Sequence, residues 1–150
     1  MSIWNAALGL LARREYSQHE LKSKLSGKFP DSGEEIEQVL ARLIDQGLQS
    51  DERYVDMWLN SQIEKGRGPV RITYDARQKG IAHLMESAMQ AKNIDWFELA
   101  AACLQRKFSA VADQKEKARA YRFLSYRGFN PDMIRYAVEQ LSTSDSSSFH

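Results

Sequence analysis

Apolar residues recur along this chain every three or four positions, the spacing that puts them on one face of a helix. Ile36, Val39, Leu40, Leu43 and Ile44 form one stripe, and Val55, Trp58, Leu59, Gln62 and Ile63 a second. Met133, Ile134, Ala137, Val138 and Leu141 form a third. No stretch alternates apolar and polar residues for long with β-branched residues between turns, so the pattern predicts an all-α fold. Punctuation agrees with periodicity. Ser17 with Glu20, Ser32 with Glu35, Asp95 with Glu98 and Asp113 with Glu116 have the spacing of reciprocal N-terminal capping pairs. Gly68-Pro69 and Asn130-Pro131 put proline at the first helical position, where its missing N–H costs nothing. Gly47, Gly66, Gly80 and Gly128 stand where left-handed helix ends belong.

These marks predict about nine short helices, near 2–14, 17–28, 33–46, 51–65, 69–79, 81–91, 95–107, 113–127 and 131–141. Nine short helices invite a search for a repeat. The segment from Ser17 to Leu25 aligns with Gly68 to Ala76, and Lys79-Gly80-Ile81 aligns with Arg127-Gly128-Phe129. Both matches recur at about 50 residues, which predicts three tandem three-helix repeats, 1–49, 50–93 and 94–142, and a flexible tail, 143–150. Units this small hold little core of their own, so neighbouring repeats are expected to pack into an elongated, curved body.

Composition adds limits. The chain has 150 residues, 43% hydrophobic and 27% charged, which is ordinary for a globular protein. Its apolar runs fall far short of the roughly 20 residues that span a bilayer. The start, MSIWNAALGLLARREY, lacks a basic stretch ahead of its apolar part and is read as the first helix rather than a signal peptide. The single cysteine, Cys103, has no internal disulfide partner; this fits a reducing cytoplasm, and its apolar neighbours suggest an inert core thiol.

Charge is arranged in blocks. Residues 1–30 hold five Lys/Arg against two acids, 31–60 hold two against eight, 61–80 five against two, and 101–127 seven against two. Such alternation suggests separate surfaces for an anion and for another partner, with a solvated mixed surface as the plain alternative. In a helix over 69–79, Arg71, Asp75 and Lys79 line one face, Ile72 and Ala76 the adjoining one, and Val70, Tyr74 and Arg77 the opposite side. In 113–127, Lys115, Arg119 and Arg122 share a face, with Tyr121 and Tyr126 beside them. Arginine and lysine interleaved with aromatic rings suit phosphate contact and base stacking. Three-helix units also resemble DNA-reading helix-turn-helix modules, but only Arg77-Gln78 has the chemistry to read base edges, so DNA contact would fall on phosphates.

Catalytic patterns are missing from the sequence. His19 opens HELKSK without the second histidine of a zinc-protease motif, His83 and His150 have no neighbouring ligand set, and no phosphate loop or nucleophile elbow occurs. The chain therefore reads as a non-enzyme with no metal site and no cofactor.

The ordered series Gly47-Leu48, Asp51, Tyr54-Val55, Trp58, Lys65-Gly66, Gly68-Pro69, Arg71-Ile72 and Lys79-Gly80-Ile81 resembles the core signature of the RecX family of regulatory proteins. The opening LLARREYSQHELKSKL and the closing EKARAYRFLSYRGFNPDMIRYAV resemble that family's first and last repeats, so the likeness covers nearly the whole chain. Asp75-Ala76 stands where the family usually carries Glu-Leu, keeping the charge and thinning the apolar contact. The resemblance implies a cytoplasmic, monomeric, non-catalytic modulator of the RecA recombinase, tied to DNA repair, recombination and the SOS response. Such a protein would bind the RecA filament on DNA, in its helical groove, and limit filament extension, ATP hydrolysis, strand exchange and co-protease activity. The alternative is a sequence-indifferent DNA-binding protein that competes for single-stranded DNA. Partners would be RecA and single- and double-stranded DNA, met mainly through phosphates, with no membrane. The expected contact set is Lys65, Arg67, Arg71, Arg77, Lys79, Lys115, Arg119, Arg122 and Arg127. Lys22, Lys24, Lys28, Tyr121 and Tyr126 are secondary candidates.

Overall fold

The structure, a computed structural model, describes residues 1–147, with side chains through Ser142. Among the described residues there are nine helices and no strand. They are α1 (Ile3–Leu11), α2 (Gln18–Lys28), α3 (Gly33–Asp45), α4 (Asp51–Glu64), α5 (Pro69–Gln78), α6 (Ala82–Lys92), α7 (Trp96–Lys107), α8 (Gln114–Arg127) and α9 (Pro131–Ser147).

Local chemistry sets most of the ends. Ser17 and Glu20 form a full capping box: the serine Oγ accepts from the Glu20 amide at 3.0 Å, and the Glu20 carboxylate accepts from the Ser17 amide at 3.3 Å. Asp95 and Asp113 cap α7 and α8 by accepting from the amides of Glu98 and Glu116. Glu116 reaches back one residue further than a capping box requires, to the Ala112 amide. Ser32 departs from expectation and makes no side-chain cap; its backbone, at φ −118° and ψ 34°, is not in the extended conformation from which Ser17 and Asp113 cap their helices. All four helix-ending glycines have positive φ. Helix α9 passes the expected end at 141 and runs to Ser147, because the polar run STSDSS contains neither glycine nor proline to stop it. Of the tail expected over 143–150, residues 148–150, including His150, lie outside the described residues.

The chain divides into two compact units, Met1–Leu59 with Ala76–Ala88, and Asn60–Asp75 with the chain from Met89 onward. In the first, α1, α2 and α3 enclose Ile3, Ala7, Leu21, Leu25, Ile36, Leu40 and Leu43, all essentially inaccessible to solvent. In the second, α7, α8 and α9 enclose Leu104, Ala120, Leu124, Phe129, Ile134 and Ala137. Cys103 is buried in that core. The α9 stripe is buried as its spacing predicts, whereas Ile44, placed by periodicity on the α3 stripe, is 42% exposed. Ile36, Leu40 and Leu43 suffice for that face. Helices α4, α5 and α6 each begin in one unit and end in the other.

Candidate functional site

The second unit holds a cationic concavity, and its construction starts at the turn after α4. Gly66, at φ +76°, ends that helix with its amide on the Ile63 carbonyl, and the Arg67 amide returns to Gln62. The Arg67 guanidinium also donates to the Gln62 side-chain carbonyl. Gln62, which periodicity placed among apolar residues, is 4% exposed, so this bond satisfies a buried amide while fixing the arginine.

The next step is a clasp between two turns. Gly68 donates its amide to the Arg127 carbonyl at 2.8 Å, and Val70 donates to the Gly128 carbonyl at 2.9 Å. Proline at 69 has no amide to place, so the first donors of α5 are met by backbone from the end of α8 rather than by a side-chain cap. In return, Arg127 Nη1 donates to the Lys65 carbonyl at 2.8 Å. The backbones approach so closely that a Cβ on Gly68 would lie 2.5 Å from the Gly128 carbonyl, and a Cβ on Gly128 would lie 2.3 Å from that of Arg71.

This clasp brings separate basic blocks onto one surface. Lys65 and Arg67 come from the turn, Arg71 from α5, Lys107 from the end of α7, and Arg119, Arg122 and Arg127 from one side of α8. With Phe108, Phe123 and Tyr126 they line an open concavity of about 860 Å³. Among the described residues, Arg71 alone of these seven cations meets a carboxylate, Asp75, and only at 3.8 Å. Aromatic faces supply part of the compensation. The Arg127 and Lys107 cations lie 5.2 and 5.9 Å from the centroid of the Phe123 ring, Arg119 lies 5.7 Å from Phe108, and Arg71 lies 5.7 Å from Tyr126. Like charges gathered around one space repel, and an incoming polyanion would relieve that repulsion.

Of the nine principal residues expected from sequence, six line this concavity and three do not. Arg77 and Lys79 belong to the first unit, where Lys79 lies 3.9 Å from the Glu20 carboxylate. Lys115 is exposed in the first turn of α8 and lies outside the lining. Among the secondary candidates, Tyr126 is in the concavity and 80% exposed, while Tyr121 packs on the core of the second unit. Lys22 pairs with Glu37 at 2.5 Å, and Lys24 and Lys28 flank a smaller recess of the first unit floored by Ala6 and Leu25. Sequence reasoning missed Lys107, Phe108 and Phe123. The run Arg106-Lys107-Phe108 at a helix end was the available signal.

Other polar groups are accounted for structurally. Burial acts to raise the Glu20 pKa, but the Arg14 hydrogen bond at 3.3 Å, the Ser17 amide and the charges of Arg14 and Lys79 outweigh it, holding the carboxyl below its ordinary value. Burial, then the charge of Glu20, pushes the Tyr54 phenol well above its usual range. His19 packs its ring 3.1 Å from where a Cβ on Gly80 would stand. Among the described residues no group of three His, Cys, Asp or Glu side chains could hold a metal ion, and no helix is long and apolar enough to cross a membrane.

Three family descriptions match this chain in order: RecX, first three-helix domain, over residues 4–43; second, over 50–84; and third, over 93–138. A Regulatory protein RecX from Halorhodospira halophila is 36% identical over 147 residues, covering 96% of this chain and 91% of its own. Those from Pseudomonas savastanoi pv. phaseolicola and Vibrio campbellii are 39% and 37% identical, covering 89% and 92% of this chain and 88% and 90% of their own. The crystal structure of RecX from Lactobacillus salivarius superimposes with a TM-score of 0.79 over 93% of this chain and 94% of that one, and at 23% identity it speaks for the fold. With three consecutive domain matches and relatives aligned along nearly its whole length, the chain belongs to the RecX family of regulatory proteins.

Proposed function

We propose that this protein is a non-catalytic negative regulator of the cytoplasmic RecA recombinase. It binds the RecA filament on DNA, in the helical groove, and limits filament extension, ATP hydrolysis, strand exchange and co-protease activity. The observation that carries this reading beyond family membership is the concavity of the second unit, where seven cations from four segments face one space and, among the described residues, only Arg71 meets a carboxylate, at 3.8 Å. A filament on DNA offers matching anions, in phosphates and in acidic protein surface. The test compares two sets of alanine substitutions, one removing three charges inside the concavity and one removing two outside it. Arg67→Ala, Arg71→Ala and Arg122→Ala together should weaken inhibition of RecA ATP hydrolysis, whereas Arg77→Ala with Lys79→Ala, outside the concavity, should change it little. Undiminished inhibition by the triple variant, with its helical circular dichroism intact, overturns the site assignment.

The same concavity favours one other reading, sequence-indifferent DNA binding that competes with RecA for the strand. Inhibition that survives at salt concentrations abolishing DNA binding speaks for direct contact with the filament protein.

A further inference from the structure

The rings of the concavity are not equivalent. Phe108 and Phe123 meet edge to face with centroids 5.9 Å apart, are partly buried against the core of the second unit, and have cations over their faces. Tyr126 also has a cation over its face, Arg71 at 5.7 Å, but differs from both phenylalanines in being 80% exposed. It stands four residues after Arg122 and seven after Arg119, so on α8 the open ring and both guanidinium groups share one face. An acidic protein segment would use these cations and leave the ring idle. A duplex would present phosphates, but its bases are stacked on one another. A single strand offers both complements at once, a charged backbone and base faces free to stack. The volume of about 860 Å³ lies within the roughly 300–1,000 Å³ of drug-sized ligand sites, room for a few nucleotides.

We infer that the concavity is a single-strand subsite: Arg67, Arg71 and Arg122 take consecutive phosphates, and the Tyr126 ring stacks on a base. This rests on the concavity being the contact surface proposed above, and it assigns that surface to the nucleic acid rather than to the filament protein. The two can fail separately, because the test contains no RecA.

Binding of the full chain is measured by fluorescence anisotropy with a labelled short oligothymidylate, an abasic strand of equal phosphate number, and a duplex of the same length. Tyr126→Leu should weaken thymidylate binding about 5- to 150-fold while leaving the abasic strand and the duplex within about twofold. Tyr126→Phe, which keeps the ring, should bind as the parent does. Replacing Arg71 by alanine should weaken all three and lower the slope of log affinity against log salt by about 0.7 for single strands. The exposure of Tyr126 keeps its two substitutions clear of folding. Equal losses on thymidylate and abasic strands, or none on thymidylate, overturn the stacking role. No single-strand binding by the parent at low salt overturns the subsite, and would leave regulation through protein contact standing. Competition by thymidine triphosphate as effective as the strand at equal phosphate would make it a mononucleotide site and likewise overturn the proposal.

Discussion

Replacing Gly68 by alanine attacks the clasp on which the concavity depends. The added Cβ would stand 2.5 Å from the carbonyl carbon and oxygen of Gly128 and 2.6 Å from the Phe129 amide nitrogen. Ordinary carbon contacts lie at about 3.5–4.0 Å, so the turns must separate by roughly 1 Å, and backbone rather than a flexible side chain has to move. That separation strains the Gly68–Arg127 and Val70–Gly128 hydrogen bonds, 2.8 and 2.9 Å in the native protein. Losing two backbone bonds in a buried setting costs about 2–5 kcal/mol, against about 0.4–1 kcal/mol gained by stiffening the unfolded chain. A net loss of about 1–5 kcal/mol is expected. Gly47→Ala is the control, because nothing lies within 4 Å of its Cβ and only its φ of +70° opposes the side chain. That strain is worth about 1–2 kcal/mol. Urea unfolding followed by fluorescence separates the units, since Trp96 lies in the second and Trp4 and Trp58 in the first. Gly68→Ala, read in a protein keeping only Trp96, should lower the midpoint of its unit more than Gly47→Ala, read in one keeping only Trp4 and Trp58, lowers that of the first. A loss below about 0.5 kcal/mol, or one no larger than the control, would refute the close approach of the turns.

Two further outcomes concern the first unit. Ser17→Ala should cost about 1 kcal/mol in chemical denaturation, while Ser32→Ala, which removes no cap, should stay within about 0.5 kcal/mol of the parent; equal losses would contradict the difference between the two helix starts. Because the folded-state pKa of Glu20 lies below its ordinary 4.5, its contribution is present above that value and lost as pH falls through the lower folded value. Stability measured between about pH 5 and pH 3 should therefore fall less steeply in Glu20→Gln than in the parent, and parallel curves would refute the linkage.

Helix positions were legible because their signals are local. A cap, a proline or a terminal glycine acts within one turn, and a buried stripe needs only its own spacing, so α5, α8 and the first residues of α9 start where the sequence puts them. The site was legible only in outline. Spacing by four links Arg71, Asp75 and Lys79 in pairs, but eight residues advance the helix by about 12 Å and turn it by about 80°. Lys79 also lies one residue beyond the end of α5, and its ammonium neighbours Glu20 in the first unit rather than the concavity of the second. Lys107 and Arg122 lie 15 positions apart in sequence, on different helices. Only tertiary packing puts them around one space. Gln62 misled periodicity because a buried amide and a buried aliphatic group occupy the same helical position, and the partner that satisfies it, Arg67, lies outside the helix.

The clasp also bears on when the charged surface comes into being. Arg127 closes on Lys65 across 62 positions of chain, and the first amides of α5 wait for the same closure. A ten-residue helix is too short to persist alone in water, and here its opening turn is completed by residues synthesised much later. The entropy of closing so long a loop falls on the same event that assembles the cations. A nascent or unfolded chain therefore carries the same charges only as dispersed blocks, and the dense anion-facing surface is a property the polypeptide acquires on folding.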